Sequence, residues 1–132
     1  MDSTDVISMT GLTAAQTQLQ VSASNVANMG DTAPLRGSGV AGPAPFVPTR
    51  VETVSLGSGG VQAQLSAAQP ASTPTYAPGN PYADSQGMVA TPNVDLVGET
   101  VARMQALQQY QASAAMLEAN NKMQRIALKM LA

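Results

Sequence analysis

The chain has 132 residues, of which 44% are hydrophobic and 11% charged, and its formal net charge is -2. It contains neither cysteine nor histidine, which excludes disulfides and thiol catalysis and removes the commonest general base and metal ligand. Without a basic patch, nucleic acid is not an expected partner, and without an apolar run of about 18 residues no segment is expected to span a membrane. With one Phe and no Trp, a core built mostly from Ala, Val, Leu and Met predicts modest stability.

The first predicted element is a helix from Thr4 to Met29, within an N-terminal segment of residues 1–29. Thr4 or Asp5 can cap its start, and Gly30 stands just past its end. Gly11 weakens the first turns. The polar positions are mostly uncharged, which suits a helix packed between other helices. One broad apolar face comprises Met9, Leu12, Ala15, Leu19, Ala23, Val26 and Ala27, and the other side carries Ile7, Ala14 and Val21.

The acidic start of the chain, residues 1–5, has no basic n-region and no continuous apolar h-region. A cleavable Sec-type signal peptide is therefore not expected.

Residues 30–75 form a variable segment of different character. All nine prolines and nine of the eleven glycines lie between residues 30 and 92, which excludes a continuous helix. The runs 46–54 and 61–65, separated by a Gly-Ser-Gly-Gly sequence, are compatible with a short β-hairpin. The remainder, above all 37–45 and 66–75, is predicted to be loop or disordered. A loop of this length is more natural if it orders against other subunits.

Residues 76–93 form a Pro/Gly-rich loop with two predicted turns. Pro78 and Gly79 suit the central positions of a type II turn, and Asp84 and Gly87 suit the first and fourth positions of a type I turn. At the end of the loop, Asn93 is free to cap the next helix because Pro92 keeps the preceding residue extended.

The C-terminal segment, residues 94–132, is predicted to contain a helix from Val94 to Leu131. These 38 residues would reach about 57 Å at ~1.5 Å per residue. The helix is apolar on two sides, which is typical of a helix buried between neighbours. One face carries Val94, Val97, Val101, Met104, Ala112, Met116, Ala119, Met123, Ile126 and Met130; the opposite side carries Leu107, Tyr110, Ala114, Leu117 and Leu128.

The predicted fold class is mainly α: an antiparallel, coiled-coil-like pair of long N- and C-terminal helices with a partly extended middle segment. The second helix would overhang the first by roughly a dozen residues, about 20 Å. Neither that overhang nor the second apolar face has a partner within the chain.

Two regions of the sequence carry a recognisable pattern. The first is the run from Ser22 to Asn28, followed by Thr32 and Arg36. It resembles the Asn-aliphatic-Ala-Asn signature that ends the first helix of rod, hook and related proteins, the bacterial flagellar axial proteins. The second region resembles the proximal rod proteins of that family, with Tyr110-Gln111-Ala112 and Lys122-Met123 continuing the C-terminal axial pattern. It comprises Tyr76, Pro78, Gly79, Pro81, Ala83, Asp84, Gly87, Val89, Pro92, Asn93, Val94 and Glu99.

The resemblance implies a structural subunit of the proximal rod of the flagellar basal body, which polymerises through its terminal helices into a torque-transmitting drive shaft. It implies an axial D0-like helix pair and no cofactor, metal or catalytic residue. The implied partners are other rod and axial proteins, further copies of the chain and the flagellar type III export apparatus, without nucleic acid, small-molecule substrate or direct membrane insertion. The expected subunit-interface residues are Leu19, Asn25, Val26, Asn28, Pro78, Asp84, Pro92, Asn93, Val101, Met104, Leu107, Tyr110, Ala114, Leu117, Met123 and Ile126.

Other interpretations stay open at this point. The protein could be another proximal or distal rod protein, or a non-flagellar peripheral or partner-binding helical module, which liposome co-sedimentation would test. An enzyme lacks a candidate site. For Asn25 and Asn28, local hydrogen bonding at a helix end has even odds against an intersubunit role, and Asp84 is first of all a turn residue.

Overall fold

The computed structural model describes residues 3–131. Met1, Asp2 and Ala132 lie outside this range, and with them the first two residues on which the signal-peptide expectation rests. Helices occupy both ends and small antiparallel sheets occupy the middle, so the mainly helical prediction is right in part. The elements are α1 (Ser3–Ala27), β1 (Thr49–Ser55), β2 (Val61–Ala67), β3 (Ser72–Tyr76), β4 (Met88–Pro92) and α2 (Leu96–Leu131).

The described chain divides into two compact units. Unit 1 contains residues 3–20 of α1, residues 51–64 and residues 100–131 of α2. Unit 2 contains residues 21–50 and 65–99.

In unit 1 the two helices run antiparallel along a seam of small and polar residues. Asp5 near the start of α1 accepts a hydrogen bond from Asn120 Nδ2 through Oδ1 at 2.6 Å. Gly11, further along α1, lies against Ser113. Buried or half-buried positions recur every three or four residues, the spacing of a two-helix seam. They are Ser8, Gly11, Ala15 and Gln18 on α1 and Ala102, Ala106, Gln109, Ser113, Asn120 and Gln124 on α2.

Gly11 has a packing role that its helix propensity alone does not predict. A Cβ added there would lie 2.6 Å from Ser113 Oγ but 3.5 Å from Ser113 Cβ. The first distance is a clash and the second an ordinary contact. The Ser113 hydroxyl oxygen is therefore the atom that disfavours a larger side chain at position 11.

We therefore expect Gly11→Ala to behave differently with and without that hydroxyl. In a Ser113→Ala background the new methyl group fits, and the gain in helix propensity should stabilise the chain by up to about 1 kcal/mol. With Ser113 intact, displacement of the hydroxyl should cancel most of that gain. Thermal unfolding followed by circular dichroism measures both differences. An equal gain in both backgrounds would contradict the packing argument.

Strands β1 and β2 form a two-stranded sheet that coincides with the two extended runs in the sequence. Gly59 and Gly60 in the connection both have φ of 91°, a left-handed conformation that favours glycine. Val61 N–H donates to Thr10 Oγ1 at 3.3 Å, which attaches this hairpin to α1.

Unit 2 contains a second sheet that the sequence did not predict. Strands β3 and β4 are antiparallel, with Thr73 opposite Thr91. On the other side of β4, Ala33 and Ala90 exchange two backbone hydrogen bonds of 3.0 and 2.8 Å. Val89 and Ala90 are buried, so β4 forms the centre of this unit. The prediction that residues 66–75 are loop or disordered is wrong in part, since β2 extends to Ala67 and β3 begins at Ser72, and only residues 68–71 lie between the strands.

The turn before β4 is the predicted one. Gly87 N–H donates to the Asp84 carbonyl oxygen at 3.0 Å. The Asp84 carboxylate also accepts from Gln86 N–H at 2.8 Å and Met88 N–H at 2.9 Å. The Pro78–Gly79 turn is closed by a bond from Asn80 N–H to the Ala77 carbonyl, but it is not type II, because Gly79 does not have positive φ.

The predicted helix caps need correction. α2 begins at Leu96 rather than Val94, and Asp95 caps it by accepting from Val97 N–H at 3.0 Å. Asn93 instead donates through Nδ2 to the Pro70 carbonyl at 3.0 Å, so it holds the preceding loop. At the start of α1, Thr4 and Asp5 already lie inside the helix.

Candidate assembly surfaces

The large apolar side chains of α2 are exposed. Val97 is 73% exposed, Met104 60% and Met123 61%. At about 100° per residue, Val97 and Met104 fall on the side of the helix opposite the buried Ala106, and Met123 falls about 100° away from Ala106. We call this set the outer stripe of α2. Its large members are Val97, Val101, Met104, Met116, Met123, Ile126 and Met130, all exposed.

The outer stripe has two parts because polar residues interrupt it. The exposed residues Gln105 and Gln108 lie within the angular range of the stripe, between Met104 and Met116 along the helix. The stripe therefore presents two apolar patches, each long enough for a separate contact.

The second predicted face of α2 lies beside α1. A groove of about 610 Å³ in unit 1 is floored by Leu12, Tyr110, Ala114 and Leu117. Its polar rim consists of Glu118, Asn121, Lys122 and Arg125. Ala114 and Leu117 are half-buried and Tyr110 is 41% exposed, so this face is only partly covered by the chain itself.

A second depression in unit 1, of about 450 Å³, brings three of the predicted interface residues together. Leu19 of α1 lines it with Met104 and Leu107 of α2. Because Met104 also belongs to the outer stripe, this apolar surface continues around the helix toward α1.

Asn25 is buried and fully engaged inside unit 2. Its Nδ2 donates to the Thr49 carbonyl at 2.8 Å and to Glu99 Oε1 at 2.7 Å. Its Oδ1 accepts from Thr49 N–H at 3.0 Å. Ser22 Oγ donates to the Glu99 carbonyl at 3.3 Å. We call Asn25, Thr49 and Glu99 the Asn25 clamp, since it joins the end of α1 to β1 and to the first turn of α2.

The Asn25 clamp bears on one predicted role. In the single chain the Asn25 side chain is only 2% exposed, and Pro92 is buried as well. Both residues lie inside unit 2, and their role at a subunit interface stays a prediction.

The other predicted interface residues lie at varied depths. Asn28 donates to the Ser24 carbonyl at 2.8 Å, which is local hydrogen bonding at the end of α1. Pro78 is exposed, whereas Val26, Asp84 and Asn93 are half-buried. Val101, Leu107, Tyr110 and Ile126 are exposed.

The sequence reading missed the partners of Asn25. The sequence places Glu99 in the region that resembles the proximal rod proteins and Thr49 in an extended run, and neither pattern predicts a contact with Asn25. The spacing of Ser22 and Asn25, three residues apart on one helical face, was an available signal for a shared polar contact.

Nothing in the described residues suggests catalysis. Within residues 3–131 no three His, Cys, Asp or Glu side chains lie close enough to hold a metal ion.

As for the bilayer, no helix in the described part of the chain combines the length and apolarity needed to cross one.

Comparison with known proteins gives consistent matches. A protein-family model described as "Flagella basal body rod protein" matches residues 7–33, and one described as "Flagellar basal body rod FlgEFG protein C-terminal" matches residues 85–130. The chain is 37% identical over 131 residues to the flagellar basal-body rod protein FlgC of Escherichia coli O157:H7, covering 95% of this chain and 91% of that protein. Identity to FlgC of Salmonella typhimurium is 36% over 131 residues, with the same coverage. Identity to FlgC of Yersinia enterocolitica is 37% over 117 residues, covering 84% of this chain and 83% of that protein.

Proposed function

The chain belongs to the FlgC family of flagellar basal-body rod proteins, and from this premise we propose how it acts as a structural subunit of the rod. It is a structural protein rather than an enzyme, and its place is the rod of the basal body. The finer proposal is that it polymerises through α1 and α2 in the proximal rod and transmits torque there.

The observation that carries this proposal is the outer stripe of α2. Its large apolar side chains are at least 48% exposed, and Met130 reaches 83%. Exposed apolar patches of this kind, two on one helix, are typical of a protein–protein contact. Seven side chains of this size on one face are more than scattered surface hydrophobics explain.

Methionine suits such a contact. Four of the seven large residues of the stripe are methionines, namely Met104, Met116, Met123 and Met130. An unbranched, polarizable side chain fills irregular gaps. A helical array whose neighbours are not identical presents such gaps, so one stripe can pack against different partners.

We propose that the partners are other rod proteins and further copies of this chain. The small-residue seam between the helices supports a compact inner pair, since it leaves the bulky apolar residues facing outward. Export through the flagellar type III apparatus is part of the same proposal and rests on the family resemblance.

Deletion of the gene provides the direct test. We expect the deletion strain to lose swimming and its basal bodies to stop before the rod in electron micrographs. The wild-type gene on a plasmid should restore swimming and complete rods. Complete rods and normal swimming in the deletion strain would contradict an indispensable role in the rod.

A further inference from the structure

All the sulfur of this chain is in methionine. The sequence contains eight methionines and no cysteine, so no thiolate is present to react first with an oxidant. Half of the methionines lie together on the outer stripe of α2, and each of these is at least 52% exposed. They are Met104, Met116, Met123 and Met130. An oxidant that reaches this chain therefore meets thioethers first on the outer stripe.

The other described methionines are less exposed. Met9 of α1 and Met29 just after it are 45% and 38% exposed, and Met88 of β4 is half-buried. Oxidation of sulfur follows its exposure to the oxidant. The methionines of the outer stripe should therefore react before Met88, which serves as an internal reference.

We propose that the four methionines of the outer stripe are modification sites, at which oxidation by a peroxide keeps the free subunit out of the rod. The thioether sulfur attacks one oxygen of hydrogen peroxide and the O–O bond breaks. The departing hydroxide takes the proton from the transferred oxygen and leaves as water, so the sulfur is oxidised to a sulfoxide and the peroxide is reduced. This inference rests on the proposed rod function, because it concerns the surface through which the subunit is proposed to assemble.

The sulfoxide has different consequences before and after assembly. In the free chain its oxygen stays hydrated, because every methionine of the outer stripe is at least half exposed, and the subunit stays folded. In an apolar contact the same oxygen would be buried without a hydrogen-bond donor, which opposes packing. Oxidation thus acts against the free subunit, whereas packing covers the sulfur atoms of a subunit that is already in the rod.

The order of reaction is measured on the purified chain. After treatment with hydrogen peroxide, trypsin cleavage at Arg103 and Lys122 separates Met104 and Met116 from Met88, and mass spectrometry locates the added oxygen. We expect the outer stripe to oxidise several-fold faster than Met88, with an unchanged circular dichroism spectrum. In purified basal bodies given the same treatment, the outer stripe should be protected. Equal rates at Met88 and the outer stripe would overturn the proposal.

The effect on assembly is tested with a variant that cannot be oxidised on the outer stripe. Leucine conserves the volume and apolarity of methionine. The stripe variant combines Met104→Leu, Met116→Leu, Met123→Leu and Met130→Leu. Its matched control, Met9→Leu with Met29→Leu, removes two exposed methionines outside the outer stripe. Each chain is induced in the deletion strain during exposure to sublethal hydrogen peroxide. Immunoblots of basal bodies should show a several-fold fall for wild type and the control, and no fall for the stripe variant.

The outcomes separate the inference from the function on which it rests. An equal fall for all three chains would overturn the inference and leave the rod function intact, since the peroxide would then act elsewhere. If the stripe variant fails to assemble without peroxide, Met104→Leu with Met123→Leu repeats the test with one position in each apolar patch. That pair should show a smaller fall than wild type, and an equal fall would again overturn the inference. Failure of the rod function itself would appear in the untreated deletion strain.

Discussion

Replacing Met104 with glutamate should keep the chain out of the rod while leaving the isolated subunit folded. Met104 is 60% exposed in the single chain, so a carboxylate there remains in water and costs little. In an assembled rod the same carboxylate would be buried against apolar neighbours without a partner. Burial of the unpaired carboxylate would weaken the binding free energy of that contact by on the order of 3 kcal/mol, which is about a hundredfold in its equilibrium constant.

Two measurements on the same variant check this result. Immunoblots of purified basal bodies from a complemented deletion strain should lack the Met104→Glu chain, and swimming should be lost. Thermal unfolding of the purified variant should match that of wild type. Met104→Leu is the control, because it conserves volume and polarity and should assemble normally.

Normal incorporation of Met104→Glu would mean that this part of the outer stripe faces water in the rod. Met123→Glu then tests the second apolar patch separately, since Gln105 and Gln108 divide the two. Loss of assembly in one variant only would assign the contact to that patch.

The positions of the two helices were predictable because all nine prolines lie in residues 30–92, between the two predicted helices. The side that packs inward was not predictable from hydrophobicity. Met9 and Ala23 belong to the predicted apolar face of α1 and are exposed, while Ser8 and Ser22 are buried. Small side chains such as Ser and Gly are buried because they allow the helices to approach closely. A hydrophobicity scale instead ranks Ser and Gly as surface residues, so it does not identify this side.

The second sheet was not predictable for a different reason. β4 is completed by Ala33, which is 57 positions away in the sequence, and no local pattern encodes that pairing. The turn from Asp84 to Gly87 was predictable, because an Asp side chain at the first position and Gly at the fourth determine it locally. The exposed outer stripe follows from the two-faced pattern of α2, but its division by Gln105 and Gln108 was overlooked.

Asn25→Ala should destabilise the chain far more than Asn28→Ala, although the two asparagines belong to the same short motif. Asn25 is 2% exposed and makes three hydrogen bonds, to both backbone polar groups of Thr49 and to Glu99. Its removal leaves the N–H and C=O groups of half-buried Thr49 without these partners, each worth about 1–3 kcal/mol. We expect a loss of roughly 2–4 kcal/mol in the free energy of unfolding.

Asn28 makes one local bond to the Ser24 carbonyl at an exposed site, so its replacement should change stability by no more than about 0.5 kcal/mol. The midpoint of thermal unfolding, followed by circular dichroism, should fall by on the order of 10 °C for Asn25→Ala. Glu99→Gln keeps an acceptor oxygen for Asn25 Nδ2, so its unfolding midpoint should lie between those of Asn25→Ala and Asn28→Ala.

Basal-body assembly of the Asn25→Ala chain, compared with its stability, also decides what Asn25 does in the rod. A stable Asn25→Ala chain that fails to enter basal bodies would return Asn25 to an intersubunit role, against its burial. An unstable chain that assembles when produced at low temperature would assign the asparagine to the fold of the subunit. The second outcome is expected, because the Asn25 clamp joins α1, β1 and α2 within unit 2 and leaves no polar atom of the side chain free for a neighbour.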